Sequence, residues 1–424
     1  MSSKSKATVT TEDGQPALVP KLRFPEFRDA EGWDTTPGDE LFEQINNRQA
    51  PAGLPILAIT QEHGAIPRDL IDYHVSVTDK SVETYKEVRS GDFIISLRSF
   101  QGGIEYSDYH GICSPAYVIL RKRAELSDLF FKQHFKSHSF IQQLTKNLEG
   151  LRDGKMVSYK QFSELLLLNP PPAEQQKIAD CLSSVDGLIA AQARKLDALK
   201  THKKGLMQQL FPRDGETPPR LRFPEFQNAG EWEISELGSV SDVRDGTHDS
   251  PEFFTSGRPL VTSKNLGTDG TLDLENVSLI SEQDYEQITK RSKVSVGDIL
   301  FGMIGTIGNP VLIKSEGFAI KNVALIKQLK TLMNSFVVQL LQSEYVAAIF
   351  AVLNTGNSQK FIALGKIRSL PVPVPSLLEQ KRIADCLTSL DDLIAAQTQK
   401  LDALKAHKQG LMQQLFPSLD KVQE

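Results

Sequence analysis

Asn169-Pro170-Pro171-Pro172 is a tetrapeptide whose residue types could support group transfer, since a side-chain amide ahead of prolines can accept from an amino group that is being methylated. That chemistry also needs an aromatic ring at the fourth position to stack on the base, and Pro172 stands there. The corresponding place later in the chain reads Val374-Pro375, and no glycine-rich cofactor loop precedes either. A rigid exit into a helix is the better account of both. Gly302, Gly305 and Gly308 follow a predicted strand, but their spacing is not that of a dinucleotide loop and no helical pattern follows directly. Gly150 to Lys155 lacks the spacing of a phosphate loop and the hydroxyl residue after its lysine. Glu379-Gln380-Lys381 has the spacing of a nuclease Glu-x-Lys pair, yet the repeat of that segment carries Gln176 in place of the lysine. The eight histidines show no ligand spacing, and three cysteines, Cys113, Cys181 and Cys386, supply neither a disulfide framework nor a zinc site. No catalytic residue and no metal site is expected.

What remains is a set of polar residues beside glycines, suited to base edges and phosphates. In the first half these are Arg98, Ser99, Gln101, Arg152, Lys155 and Lys160. In the second they are Thr247, His248, Ser263, Lys264, Asn265, Thr306, Asn322, Gln359 and Lys360. Arg and Lys suit guanine and phosphate, and Asn and Gln suit adenine. Taken singly, each also fits a solvated turn. Arg98 and Lys264 carry the most weight, because each sits beside a predicted strand end flanked by small polar residues.

The elements that must position these residues come in duplicate. Glu174 to Pro212 returns 205 positions later as Glu379 to Pro417, with 30 of 39 positions identical. Leu22-Arg23-Phe24-Pro25-Glu26-Phe27 likewise recurs as Leu221-Arg222-Phe223-Pro224-Glu225-Phe226. Within the longer repeat, Ile178, Leu182, Val185, Ile189, Gln192, Leu196, Leu199, Lys203, Leu206 and Leu210 follow a four-three spacing, a sustained heptad seam. Its twin runs from Ile383 to Leu415. Ser376 and Glu379 have capping-box spacing, and Phe211-Pro212 and Phe416-Pro417 stop the two helices. A helix of about 38 residues spans roughly 57 Å, which suits a strut. The seams predict an antiparallel coiled coil of the two helices with approximate two-fold symmetry. Gln192 and Gln397 interrupt the seams near their midpoints and are expected to meet and fix register there.

Between the repeats lie divergent segments that mix strands and helices. Val296 to Phe301 and Gly91 to Ser96 begin with the same Gly-Asp entry into a strand. Ala116 to Leu120 and Val323 to Ile326 read as further strands, and Leu129 to Leu148 and Asn334 to Leu353 as helices. The fold class is therefore α+β: two mixed α/β domains, residues 21–173 and 213–375, separated by two long antiparallel helices, 174–212 and 376–417, in an internal pseudo-two-fold repeat. Residues 1–20 and 418–424 read as tails. The longest apolar runs are far short of the ~20 residues of a membrane span, and the cysteine usage suits a reducing cytoplasm. A net charge of −5 does not by itself suggest a nucleic-acid partner.

This arrangement resembles the specificity subunit of bacterial type I restriction-modification systems. The resemblance rests on the duplicated helices with their Glu-Gln-(Gln/Lys)-(Lys/Arg)-Ile-Ala starts and Gly-Leu-Met-Gln-Gln-Leu-Phe-Pro ends, the Gly-Asp strands, and Asp245-Gly246-Thr247-His248. It implies a non-catalytic subunit whose two target-recognition domains each read one half of a gapped double-stranded DNA sequence. The helices would set the gap and dock two methyltransferase subunits, which carry S-adenosylmethionine and methylate adenine. A separate restriction subunit would use ATP and Mg, and this chain would bind no cofactor itself. A methyltransferase with a fused recognition domain and a non-enzymatic assembly scaffold are the alternatives.

Overall fold

The structure, a computed structural model, describes residues 18–71, 82–123, 125–146, 157–213, 216–329, 331–353 and 361–418. The chain divides into two compact units, Met1–Ala193 with Lys400–Glu424, and Arg194–Gln399. The division falls inside both long helices, Pro172–Leu210 and Leu377–Leu415, so each unit owns half of each.

In the first unit a four-stranded antiparallel sheet runs in the order Phe42–Ile45, Val118–Lys122, Phe93–Ile95, Glu105–Tyr106. In the second the order is Asp242–Asp245, Val323–Lys327, Ile299–Gly302, Gly308–Leu312, again antiparallel throughout. These central strands are apolar and almost wholly buried, as a sheet covered on both faces requires. The Gly-Asp entry is a turn. Gly91 and Gly297 take φ of +97° and +89°, where a side chain would be strained, and the following aspartate turns back on the sheet. Asp92 accepts a two-pronged bond from Arg121 at 2.7 Å, and Asp298 accepts from Lys327 at 2.5 Å. Gly302 ends the strand Ile299–Gly302 and pairs with Gly308 across a hairpin that holds Gly305 and leads into the strand Gly308–Leu312, which excludes a dinucleotide loop. The two predicted helices downstream are each broken in two. Asp128–His134 is followed by His138–Lys146, and Asn334–Leu341 by Glu344–Leu353, because the chain turns at Ser137 and at Ser343, whose hydroxyls meet the next helix's first amides.

A two-stranded pair closes each domain where the chain leaves for the long helix: Asp34–Pro37 with Leu166–Asn169, and Glu233–Glu236 with Pro371–Val374. Asn169 ends one of these strands. Its amide donates to Thr36 Oγ1 at 3.1 Å and accepts from Gln175 at 3.0 Å, so it is a joint and not a reactive group.

Every one of the twenty seam positions is buried or half-buried; Gln192 is 7% exposed and Gln397 is half-buried. In the first unit Ile178, Ala179 and Leu182 share a core with Leu415 and Phe416, and Asp186 pairs with Lys408 at 2.7 Å, so the helix halves there run antiparallel. In the second unit Met207 and Leu210 share a core with Ile383, Ala384 and Leu387, and Lys203 pairs with Asp391 at 2.6 Å, giving the same sense. The two lysines within the seams thus have aspartate partners. Each aspartate also accepts from a glutamine of the mixed domain, Gln133 on Asp186 and Gln339 on Asp391, both at 2.8 Å.

The Leu-Arg-Phe-Pro-Glu-Phe echo clamps the start of the following long helix, its glutamate pairing with Lys177 or Arg382 and its arginine with a buried carboxylate. Arg23 forks onto Glu174 at 2.8 Å through both Nε and Nη2, and Arg222 onto Glu379 at 2.8 and 2.6 Å. Only half of the expected capping box forms at Ser376: its hydroxyl accepts from the Glu379 amide at 3.3 Å, while the Glu379 carboxylate goes to Arg222 and Trp232. Lys381 bonds Asp385 one turn on, so Glu379 and Lys381 do not act as a nuclease pair. All three cysteines are free, and burial pushes the Cys113 thiol up to about 12. No single helix among the described residues is long and apolar enough to cross a membrane.

Candidate nucleic-acid interface

Sheet register decides which loops meet. Because the first and third strands of each four-stranded sheet point the same way and the one between them points back, the loops after Ile45 and Ile95 and before Val118 share one end. The loops after Asp245 and Gly302 and before Val323 do so in the second unit.

In the second unit the chain at Gly246 runs against Ile320 so closely that a Cβ would lie 2.3 Å from the Ile320 carbonyl oxygen, which makes glycine obligatory. Thr247 N–H donates to Ile320 O at 3.0 Å and Asn322 N–H to Thr247 O at 3.2 Å. Asn322 adopts φ of +56°, a conformation that asparagine tolerates better than most residues. The result places His248 between two acceptors: Nδ1 is 2.9 Å from Asn322 Oδ1 and Nε2 is 2.9 Å from Asp245 Oδ2. The Asn322 oxygen first, and then the Asp245 carboxylate, hold the imidazole pKa above its ordinary value. Asp245 is buried, and its other oxygen accepts from Arg291. Nearby, the Gly302–Gly308 hairpin presents exposed Thr306, and a Cβ at Gly302 would sit 2.3 Å from the Thr306 carbonyl oxygen and 3.4 Å from Ser263 Cβ. Thr247, His248, Asn322, Ser263 and Thr306 therefore converge.

In the first unit Glu87 plays a part like that of Asp245. It is buried, and it accepts from Asn47 at 2.7 Å, His110 at 2.9 Å and Arg89 at 3.2 and 3.4 Å. Burial opposes its ionisation, but the Arg89, His110 and Asn47 donors outweigh burial and bring its pKa down to about 2. Glu87 lies on a separate pair of strands, Lys86–Val88 with Gly111–Cys113, while Arg98 and Gln101 stand exposed in the turn after Phe93–Ile95, at the loop end of the four-stranded sheet.

A family model described as "Type I restriction modification DNA specificity domain" matches residues 229–406. The chain is 27% identical over 367 residues to the type I restriction enzyme MjaVIII specificity subunit of Methanocaldococcus jannaschii, covering 82% of each. It is 25% identical to the putative MjaX specificity subunit of the same organism, over 92% of this chain and 94% of that one. In fold it matches a type I restriction-modification S subunit from M. genitalium with a TM-score of 0.57 at 16% identity, over 94% of this chain and 99% of that one. A chain from a structure concerned with assembly of the type I R-M system matches with a TM-score of 0.54 at 19% identity, over 91% and 98%. Over most of its length the chain is similar to type I restriction-modification specificity subunits.

The polar residues singled out in the sequence divide into exposed side chains, able to meet a ligand, and buried framework. Arg98, Gln101, Lys160, Lys264 and Thr306 are exposed, as readers must be, though Lys160 stands apart on the short helix Tyr159–Ser163. Ser99, Ser263 and Asn265 are corrected to framework, since each is buried and occupied. Ser99 Oγ accepts from Ser96 N–H at 2.8 Å, and Ser263 Oγ donates to Asn322 O at 3.3 Å. Asn265 accepts from Thr262 N–H at 2.9 Å and donates to Asn276 O at 3.0 Å. Arg152, Lys155, Gln359 and Lys360, like the Gly150 to Lys155 segment, lie outside the described residues. Sequence reasoning missed Arg89, His110 and Arg291, whose roles come from carboxylates distant or unremarkable in the chain. Among the described residues no group of three or more His, Cys, Asp or Glu could hold a metal ion.

Proposed function

We propose that this chain is a type I restriction-modification specificity subunit, that its two mixed domains read different halves of a gapped double-stranded DNA target, and that the long helices form an antiparallel coiled coil that sets the gap. On this reading the helices also dock two methyltransferase subunits, which carry S-adenosylmethionine and methylate adenine. Restriction subunits using ATP and Mg complete the assembly. The observation that carries the reading is the contrast within each unit. The residues that tie a domain to the helices recur pair by pair, while the loops at the end of the four-stranded sheet share almost no side chain. A fixed grip with variable loops is what two independent readers need. An acidic chain can still serve, because base contacts are local and partner subunits can supply phosphate attraction.

Replacing residues 238–375 by those of another family member tests the reading, with modified adenines sequenced in cells that carry the neighbouring subunits. One half of the methylated sequence should change and the other persist. Both halves changing together would overturn independent reading. Co-purification should recover two methyltransferase copies for each copy of this chain, and the isolated chain should methylate nothing.

A further inference from the structure

Arg291 lies on the helix Glu282–Ser292, a segment with no counterpart in the repeat and no glycine beside it. Asp284, Gln287, Ile288 and Arg291 recur at helical spacing on one stripe, which forms one wall of an open cleft of about 400 Å³. The loop from Gly246 to Pro251 forms the other wall. Arg291 is the basic residue of that stripe. Its side chain is 70% exposed even though Nη2 is bound to Asp245, so the remaining N–H donors of its fork are open to the cleft.

A cation meant only for phosphate gains nothing from a buried carboxylate, which cancels much of its field and costs desolvation. An arginine meant for the paired acceptors of a guanine edge gains orientation, because that contact needs a fixed plane. His248 occupies Asp245 Oδ2, which leaves Oδ1 to Arg291 and fixes where the fork can sit. The first unit builds the same thing independently. Arg89 forks onto buried Glu87, His110 takes one oxygen of that carboxylate, and Arg89 is 57% exposed. Two divergent segments thus arrive at one device from different elements.

We propose that Arg291 in the second domain, and Arg89 in the first, are the guanine-reading residues of their half-sites, with Asp245 and Glu87 as the positioning carboxylates. The inference rests on the DNA-reading assignment above. The test uses the full chain assembled with its methyltransferase subunits, and binding to duplexes varied one half-site at a time around the sequence that the wild-type complex methylates. Arg291→Ala should weaken binding roughly 5- to 150-fold at a guanine of one half-site, relax the preference there and leave the other half-site untouched. Arg89→Ala should do the same at the opposite half-site. Arg291→Lys keeps the charge without the fork and should not restore discrimination. The double variant Arg291→Ala with Asp245→Asn leaves no buried unpaired carboxylate and should show the same relaxed preference, and thermal unfolding of each variant checks folding. A uniform loss across sequences with a shallower salt dependence, full rescue by lysine, or unchanged preference would each overturn the proposal. Were the wild-type complex to show no sequence preference, the DNA-reading assignment itself would fall; preference retained by all variants sinks only the arginines.

Discussion

Glu174 and Glu379 receive the same arginine fork from the same six-residue echo, whereas Glu87 and Asp245 gather an arginine and a histidine from elements that do not correspond. The first pair of carboxylates holds the domains, and identical geometry has been kept along with identical sequence. The second pair faces solvent-exposed donors, and only the chemistry agrees. The grip has small differences of its own. Trp232 donates to Glu379 at 3.2 Å, while the Trp33 ring nitrogen is buried without a hydrogen bond. Leu340 fills the place in the second domain that His134 fills in the first, judging by the aligned helices Asp128–His134 and Asn334–Leu341. His134 is 1% exposed, its two ring nitrogens have no partner, and five phenylalanines surround it with ring centroids 5.2–6.0 Å away.

Breaking the grip should cost most. Glu174→Ala strands a buried guanidinium and should destabilise its unit by about 3–5 kcal/mol, and Glu379→Ala should cost its own unit a similar amount. Denaturant unfolding followed by Trp fluorescence would show it; a cost below ~1 kcal/mol at both would contradict the shared-grip account. Next in size is His134→Leu, which makes the first core like the second. Burial holds the His134 pKa down at about 3 against an ordinary 6.5, so the unfolded chain binds the extra proton between those values. Stability is therefore intact above pH 6.5 and is lost as pH falls toward 3. The leucine variant should remove that loss, worth roughly 2 kcal/mol at pH 5, and unfolding curves at pH 7.5 and 5 compare the two proteins directly.

Smaller effects sharpen the reading side. Arg98→Ala and Lys264→Ala should each weaken DNA binding, by about 1–3 kcal/mol at one half-site where the side chain meets a base edge. Titrations at several salt concentrations separate that from a phosphate contact, which would lower affinity for every sequence. The least effect belongs to Lys381→Ala, which opens the exposed pair with Asp385; about 0.3–0.5 kcal/mol is expected. The contrast with Glu174→Ala measures what burial adds to an ion pair in this grip.

Much of the frame was legible in the sequence, because helical period and repetition are local signals. The seams from Ile178 to Leu210 and from Ile383 to Leu415 could be written down residue by residue, and Lys203 and Lys408 within them needed only the partners Asp391 and Asp186 to make sense. The Gly-Asp strands were legible because glycine at positive φ leaves a mark in composition. The single long helices expected at Leu129 to Leu148 and Asn334 to Leu353 were not single, since the serine that turns each of them is an ordinary helix residue by propensity. The site was half legible. Thr247, His248 and Asn322 came together as their glycine and strand contexts suggested, but Ser99, Ser263 and Asn265 looked like readers because small polar residues beside glycines serve equally as internal braces. Arg291 could not have been found this way, as its partner Asp245 is 46 residues away and the helix between them carries no motif.

Leu415 and Phe416 belong to the core of the first unit, where the Phe416 ring lies 5.5 Å from that of Phe130. During translation, then, the first domain reaches the end of its own segment with part of its core still unmade. Met207, Leu210 and Phe211, by contrast, are synthesised before the domain they complete. The unit begun first is finished last, and a ribosome that stops short of the final helix releases a chain whose earlier domain shows bare aromatic surface to the cell's proteases and chaperones.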